Sequence, residues 1–192
     1  MERLYYESPS LERKEDAIEY IREHYEYGSN INGSGSLHNY LDNYEGWLLK
    51  LEEDRNMVPN EQRVPAETYF LVRESDNRII GMVNIRLVLN KRLKESGGHI
   101  GYGIRPTERR KGYNKINLYL ALEVCHEHGI EEVMLSCDKN NPASSKTMLA
   151  LGAKLDREYE VEKEVEQNYI IKVEESLEKY RETYAPQIRK KR

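Results

Sequence analysis

The chain has 192 residues, of which 33% are charged, and a formal net charge of -4. With a mean hydropathy of -0.86 it has no apolar run near the roughly 18 residues that span a bilayer, and its acidic balance does not favour nucleic acid as the main partner. Its length suits one domain, 1–192, with a substantial core. The two cysteines, Cys125 and Cys137, lack metal-ligand spacing, so no metal site is expected, and a reduced cytoplasmic protein without a secretory leader is the simplest reading.

In chain order, residues 4–7 form a short edge strand, and Ser8-Pro9-Ser10 opens a helix from Leu11 to Tyr27 that Gly28 ends. Residues 28–36 (GSNINGSGS) predict a mobile loop. A second amphipathic helix covers 37–56, with Leu41, Trp47, Leu48 and Leu51 on its apolar side. Strands at 67–73 and 79–89 make a hairpin turned at Asp76-Asn77. A third strand, His99 to Ile104, leads to a helix over 112–128. A strand at 132–137 and a helix from Asn141 to Leu151 follow, then strands at 154–162 and 166–173, a charged helix over 174–184 and a basic tail, 189–192. This order predicts an α/β chain with a mixed sheet and helices on both faces.

The informative stretch is 99–122, where a strand runs into Arg109-Arg110-Lys111-Gly112 and a helix starts at once. Cations at a helix N-terminus have the wrong sign for its dipole, by about 0.3–1 kcal/mol each when exposed. An anion explains them, since first-turn amides point at it and the side chains neutralise it. Gly112 lets backbone approach a phosphate closely. The spacing is neither that of a P-loop nor that of the Rossmann glycines. A solvated basic turn is the alternative. A second strand–helix unit lies at 135–153, where Asn141 and Ser144 begin the helix; two such units side by side can splay and leave a slot for an extended ligand. Asn141-Pro142 also reads simply as an N-cap with proline at the first helical position.

These residues resemble the GCN5-related N-acetyltransferases, in particular the bacterial group that acetylates protein N-termini and small amines. The likeness is firmest over 67–153. The family signature Arg/Gln-x-x-Gly-x-Gly/Ala is met by Arg109, Arg110, Lys111, Gly112 and Tyr113, while Asn114 stands where Gly or Ala is usual and either crowds the pyrophosphate or adds a hydrogen bond to it. The second element, Asn-x-x-Ser/Ala closed by Gly, is met by Asn141, Ser144 and Gly152. Ala153 replaces an aromatic, and Met148 stands where many members carry an acidic tyrosine.

The resemblance implies a mostly antiparallel sheet splayed between two strands. It implies an acetyl-CoA cosubstrate held by Ile104, Arg105, Arg109, Arg110, Lys111, Gly112, Tyr113, Asn114, Asn141 and Ser144. The implied reaction is direct attack of a small-molecule or peptide amine on the thioester, with no metal. It places oxyanion donors around Tyr102 to Arg105. His99, at the start of the strand, is the expected base, with Glu95 and Glu108 as alternatives. Tyr102, Tyr119 and Ser145 are open as the acid. His126 and His128, two apart, do not form a metal pair. The acceptor is expected over the N-terminal helices, where Asp42, Glu45, Glu52 and Glu53 either recognise an amine or form a solvated face. A homodimer through the last strands and helix 174–184 is expected. A CoA-binding module without catalysis and an RNA-binding protein using the basic loop and tail are the rival readings.

Overall fold

A computed structural model describes residues 2–161 and 163–189; Lys190 to Arg192 of the basic tail, and Glu162 at the end of an expected strand, lie outside them. Among the described residues seven strands form two sheets. The first holds β1 (Leu4–Glu7), β2 (Ala66–Arg73), β3 (Arg78–Arg86) and β4 (Ile100–Ile104) in sequential antiparallel order. The second holds β5 (Glu132–Asp138), β6 (Lys154–Val161) and β7 (Glu164–Lys172), with β7 in the middle and both pairings antiparallel. The sheets meet where Gly98 bridges Leu135.

Helices cover both faces. On one side α1 (Lys14–Glu26) and α2 (Tyr44–Asn56) bury Ile18, Ile21, Trp47 and Leu51 against Phe70, Val72, Ile79 and Met82. Each fully buried aliphatic or aromatic side chain contributes about 1.5–3 kcal/mol. On the other side α4 (Tyr113–Glu127), α5 (Pro142–Leu149) and α6 (Val173–Tyr184) pack on Val83, Ile85, Ile100, Ile104, Val133 and Leu135. Helix α4 is apolar nearly all round, with Ile116 to Leu122 buried, because it lies beneath both sheets.

Three expectations change. The helix expected over 37–56 is a 3-10 turn at Leu37–Asn39 followed by α2, because Asn43 caps the helix by accepting from the Gly46 amide at 3.0 Å. The long strand expected to reach residue 89 stops at Arg86, and Asn90 caps a short helix, α3 (Lys91–Glu95). The 28–36 loop, expected to be mobile, is laid on the sheet.

Strand alternation explains that third change. Ile100, Tyr102 and Ile104 point toward α4, so Gly101 and Gly103 present bare backbone on the α1/α2 side. Loop backbone fills the space. A Cβ on Gly33 would lie 2.6 Å from the Met82 carbonyl and 2.7 Å from that of Gly101, and one on Gly103 would lie 2.9 Å from the Asn32 carbonyl. Trp47 Nε1 and Lys50 Nζ both donate to the Gly35 carbonyl at 3.0 Å and fix the loop from above.

Gly33→Ala therefore meets both a left-handed φ of +74° and a wall of backbone, whereas Gly28 (φ +56°) has nothing within 4 Å of its Cβ position. The backbone term alone is roughly 1–2 kcal/mol. Gly28→Ala is expected to lose about that, and Gly33→Ala clearly more, as a lower Tm by calorimetry.

Candidate active site

The strands β4 and β5 diverge from a pinned end. The His99 amide donates to the Met134 carbonyl at 2.7 Å, and the Met134 amide donates back to His99 Nδ1 at 3.0 Å. Gly98 is needed here because a Cβ would run into the Met134 carbonyl. Toward β3, the Arg86 amide donates to the His99 carbonyl and the Arg105 amide to the Ile80 carbonyl. In an antiparallel ladder the odd residues of β4 thus face β3, and Tyr102 and Ile104 turn their amides into the split. Those two amides have no hydrogen-bond partner among the described residues. An unpaired inner strand edge is a ready partner for an amide-bearing chain.

At the open end of β4 lies the basic loop. Arg110 (φ +64°) and Gly112 (φ +84°) take the left-handed conformation, and α4 begins at Tyr113. Backbone amides from Arg110 to Asn114 have no acceptor among the described residues. Alternating left- and right-handed residues at a helix N-terminus form a concave nest that favours anions. A Cβ at Gly112 meets nothing within 4 Å, so backbone there is open to a ligand.

The side chains of this loop divide. Arg109 folds back, donating from Nε to the Ile104 carbonyl at 3.0 Å and from an Nη to Ser29 Oγ at 2.6 Å. Lys111 is tied to Glu108 at 2.8 Å. Arg110 is exposed. Arg105 is buried at 1% exposure and takes no part in the nest: it donates to Glu19, Glu23 and the Ile79 carbonyl. Its backbone, not its guanidinium, belongs to the split.

Beneath the loop lies a buried charge network. Glu108, 3% exposed, accepts from Arg73, Arg78 and Lys111. Burial alone would raise its pKa, but the hydrogen bonds from Arg73 and Lys111 outweigh it and hold the carboxyl below its usual range. Glu23 accepts from Arg105 and from the Thr107 amide and hydroxyl, and its pKa is also lowered. Both stay ionised near neutrality, so Glu108 is a loop anchor and a poor proton acceptor.

Across the split, Asn141 accepts from the Ser144 amide at 3.2 Å and caps α5. Ser144 Oγ is 2.9 Å from the Tyr102 hydroxyl, which joins the two arms. Burial raises the Tyr102 pKa, against the opposing effect of that hydrogen bond, so the phenol keeps its proton. Asn114 reaches Thr147 on α5 at 3.5 Å and accepts from Asn117 at 3.4 Å, so its side chain lies across the helices. Met148 is wholly buried in the core. Burial pushes the nearby Cys137 thiol up to about 11, which keeps it protonated and a weak nucleophile.

The face of the second sheet turned away from α4 holds groups whose isolated positions in the sequence carried no signal. Ser136 and Asp138 point away from the core, and Asp138 sits directly opposite Glu166 on β7. Burial first, then the charges of Asp138 and Glu164, raise the Glu166 pKa. Arg86 donates to the Gly97 and Gly98 carbonyls at 3.2 and 2.9 Å. His99, by contrast, has its Nδ1 lone pair occupied, and burial pushes its pKa down to about 4. Glu95 is exposed, and Tyr119 points at the Leu177 carbonyl, away from the split. Asp42, Glu45, Glu52 and Glu53 are exposed, Glu52 being paired with Arg55. Among the described residues no cluster of metal-binding side chains occurs. A groove of about 1260 Å³ lined by Tyr6, Tyr69, Glu123 and Arg181 lies against α4 and α6, away from the nest.

A sheet pinned at one end and split at the other, with an anion nest beside the split, suits an extended ligand with an anionic group at one end. Residues 34–153 match the model of the acetyltransferase (GNAT) family, and the chain belongs to that family. No curated protein matches the sequence. Solved structures share the fold at low identity. The ribosomal-protein-S5-alanine acetyltransferase from Vibrio fischeri is 12% identical with a TM-score of 0.63, over 87% of this chain and 91% of that one. The microcin C7 self-immunity acetyltransferase MccE, solved with acetyl-CoA and AMP, is 14% identical with a TM-score of 0.63, over 88% and 92%. A spermidine N-acetyltransferase chimera from Vibrio cholerae and hSSAT is 13% identical with a TM-score of 0.62, over 91% and 99%.

The His99 clamp makes a prediction about stability. Its folded pKa lies below the ordinary value near 6.5, so the unfolded chain binds more protons between those values and stability falls as pH drops through that window. His99→Asn keeps an acceptor on Cγ but does not titrate. Denaturation followed from pH 7 to 4 is expected to show a shallower acid decline for the variant; buried His24, shifted the same way, and, toward the lower end, the depressed Glu23 and Glu108 carboxyls contribute to the remainder.

Proposed function

We propose that the chain transfers an acetyl group from acetyl-CoA to a primary amine by direct attack, working as one catalytic unit. The observation that carries this reading is the run of unpaired amides from Arg110 to Asn114 lying beside the unpaired β4 edge at Tyr102 and Ile104. Together they suit a diphosphate continued by an amide-bearing arm. With Lys111 neutralised by Glu108 and Arg109 turned inward, the loop suits one local anion better than an extended polyanion.

Acetyl-CoA supplies the thioester that the amine attacks. The outward amide of Tyr102 is positioned to stabilise charge developing on the carbonyl oxygen. The Tyr102 hydroxyl, held by Ser144, retains the proton that a departing thiolate needs. For the base, this reading favours the Asp138–Glu166 pair over His99: Glu166 has a raised pKa and no hydrogen-bond partner among the described residues, whereas His99 would have to release the Met134 amide. The protonated Cys137 agrees with a route lacking a covalent enzyme intermediate. The two free, buried cysteines suit a cytoplasmic location; no described helix is long and apolar enough to cross a membrane. A second copy of the chain is expected to pair along exposed β6, where Leu155 and Val161 are 49% and 41% exposed.

Calorimetric titration with acetyl-CoA, with 3′-dephospho-CoA and ATP as controls, tests the donor. Selective micromolar binding is expected, and Gly112→Val should weaken it at least tenfold; unchanged affinity would remove the nest from the reading. Turnover on an amine panel separates an enzyme from a binding module. Glu166→Gln is expected to lower kcat by about 10²-fold and to flatten the acidic limb of the pH–rate profile, while His99→Asn leaves that limb in place. The reverse pattern would restore His99 as the base.

A further inference from the structure

Arg86 is half-buried on β3, on the α1/α2 side of the sheet. Four other arginines, among the described residues, turn a guanidinium inward, and each holds at least one carboxylate: Arg13 with Glu7 and Asp16, Arg73 with Asp76 and Glu108, Arg78 with Glu23 and Glu108, Arg105 with Glu19 and Glu23. Arg86 holds none among the described residues; one Nη spans the Gly97 and Gly98 carbonyls. Carbonyl dipoles position a guanidinium without neutralising it.

The other Nη has no hydrogen-bond partner among the described residues and lies beside the backbone of Gly101. It lies 3.6 Å from the Cβ position that Gly101 leaves empty. The Gly33 amide nitrogen borders the same position at 3.7 Å and has no hydrogen-bond partner among the described residues. A guanidinium fork and a nearby N–H are a carboxylate-binding combination. Gly101 immediately precedes Tyr102, whose amide faces the split, and one strand residue spans about 3.4 Å. That step is comparable to the distance from amine to carboxylate in an α-amino acid.

We propose that Arg86, with the Gly33 amide, binds the carboxylate of the acceptor, and that the acceptor is an α-amino acid or a similar small aminocarboxylate. The assignment rests on the acetyl-transfer reading above and narrows its substrate class. The ammonium end then faces Asp138 and Glu166, which lie on the same side of the second sheet. A polyamine, carrying a second cation where Arg86 sits, is repelled.

Paired acceptors test this. Amino acids, their α-amides and the corresponding decarboxylated amines are offered with acetyl-CoA, and the N-acetyl product is measured by mass spectrometry. The wild type is expected to favour the acid over the amide at least tenfold in kcat/KM. Arg86→Gln, which still has a donor for the glycine carbonyls, should bring that ratio close to one, chiefly through KM, and Arg86→Lys should restore part of it. Tm and the acetyl-CoA titration check that each variant retains its fold. Indifference of the wild type to the carboxylate, or a preference that survives in Arg86→Gln, overturns the assignment and leaves acetyl transfer standing. Turnover of no acceptor at all overturns both.

Discussion

The strands β4 and β5 are neighbours along only a short length of their course. At that place the His99 backbone and imidazole grip both polar groups of Met134, and Gly98 allows the backbones to touch. A ladder continued past this point would close the sheet and pair the amides of Tyr102 and Ile104. Because it stops, buried backbone donors are left over, and such donors are costly unless something pairs them. The two sheets stay together by sharing α4 beneath them, whose side chains pack on strands of both. Binding capacity therefore comes from an interrupted β-sheet held in register by a continuous apolar layer.

The charge network around Glu108 and Glu23 serves the same end. Buried ion pairs contribute little net stability, because desolvation offsets most of their attraction, but removing one partner strands the others at a cost of about 3–5 kcal/mol. Glu108 joins the loop after β4 to the β2–β3 hairpin through Arg73 and Arg78, and Glu23 joins it to α1 through Thr107 and Arg105. With the loop's position fixed, its amides need little ordering when an anion arrives, and that preorganisation favours affinity.

Much of this was legible in the sequence. The basic loop and helix start at 109–114, the second strand–helix unit with Asn141 and Ser144, and the helix-covered antiparallel strands all leave local signatures, because each depends on neighbouring residues; that the strands divide into two sheets does not. Groups that meet only through the fold left none. Glu166 is informative because register places it opposite Asp138, and Arg86 because no acid among the described residues pairs with it. The setting of His99 was hidden for the same reason: its place at a strand start suggests a reactive imidazole, and only the fold supplies the Met134 amide that donates to it. The 28–36 loop has the composition of a flexible linker, yet its glycines are where two backbones lie in contact.

That contact ties distant parts of the gene to one another. Asn32 fits only while residue 103 lacks a side chain, and Gly33 itself has no room for one against the Met82 and Gly101 carbonyls. The 28–36 segment cannot be exchanged alone; the matching β4 has to travel with it. Divergence of this segment is thus expected to proceed by paired replacements, and a loop graft that ignores the strand would fail at the seam.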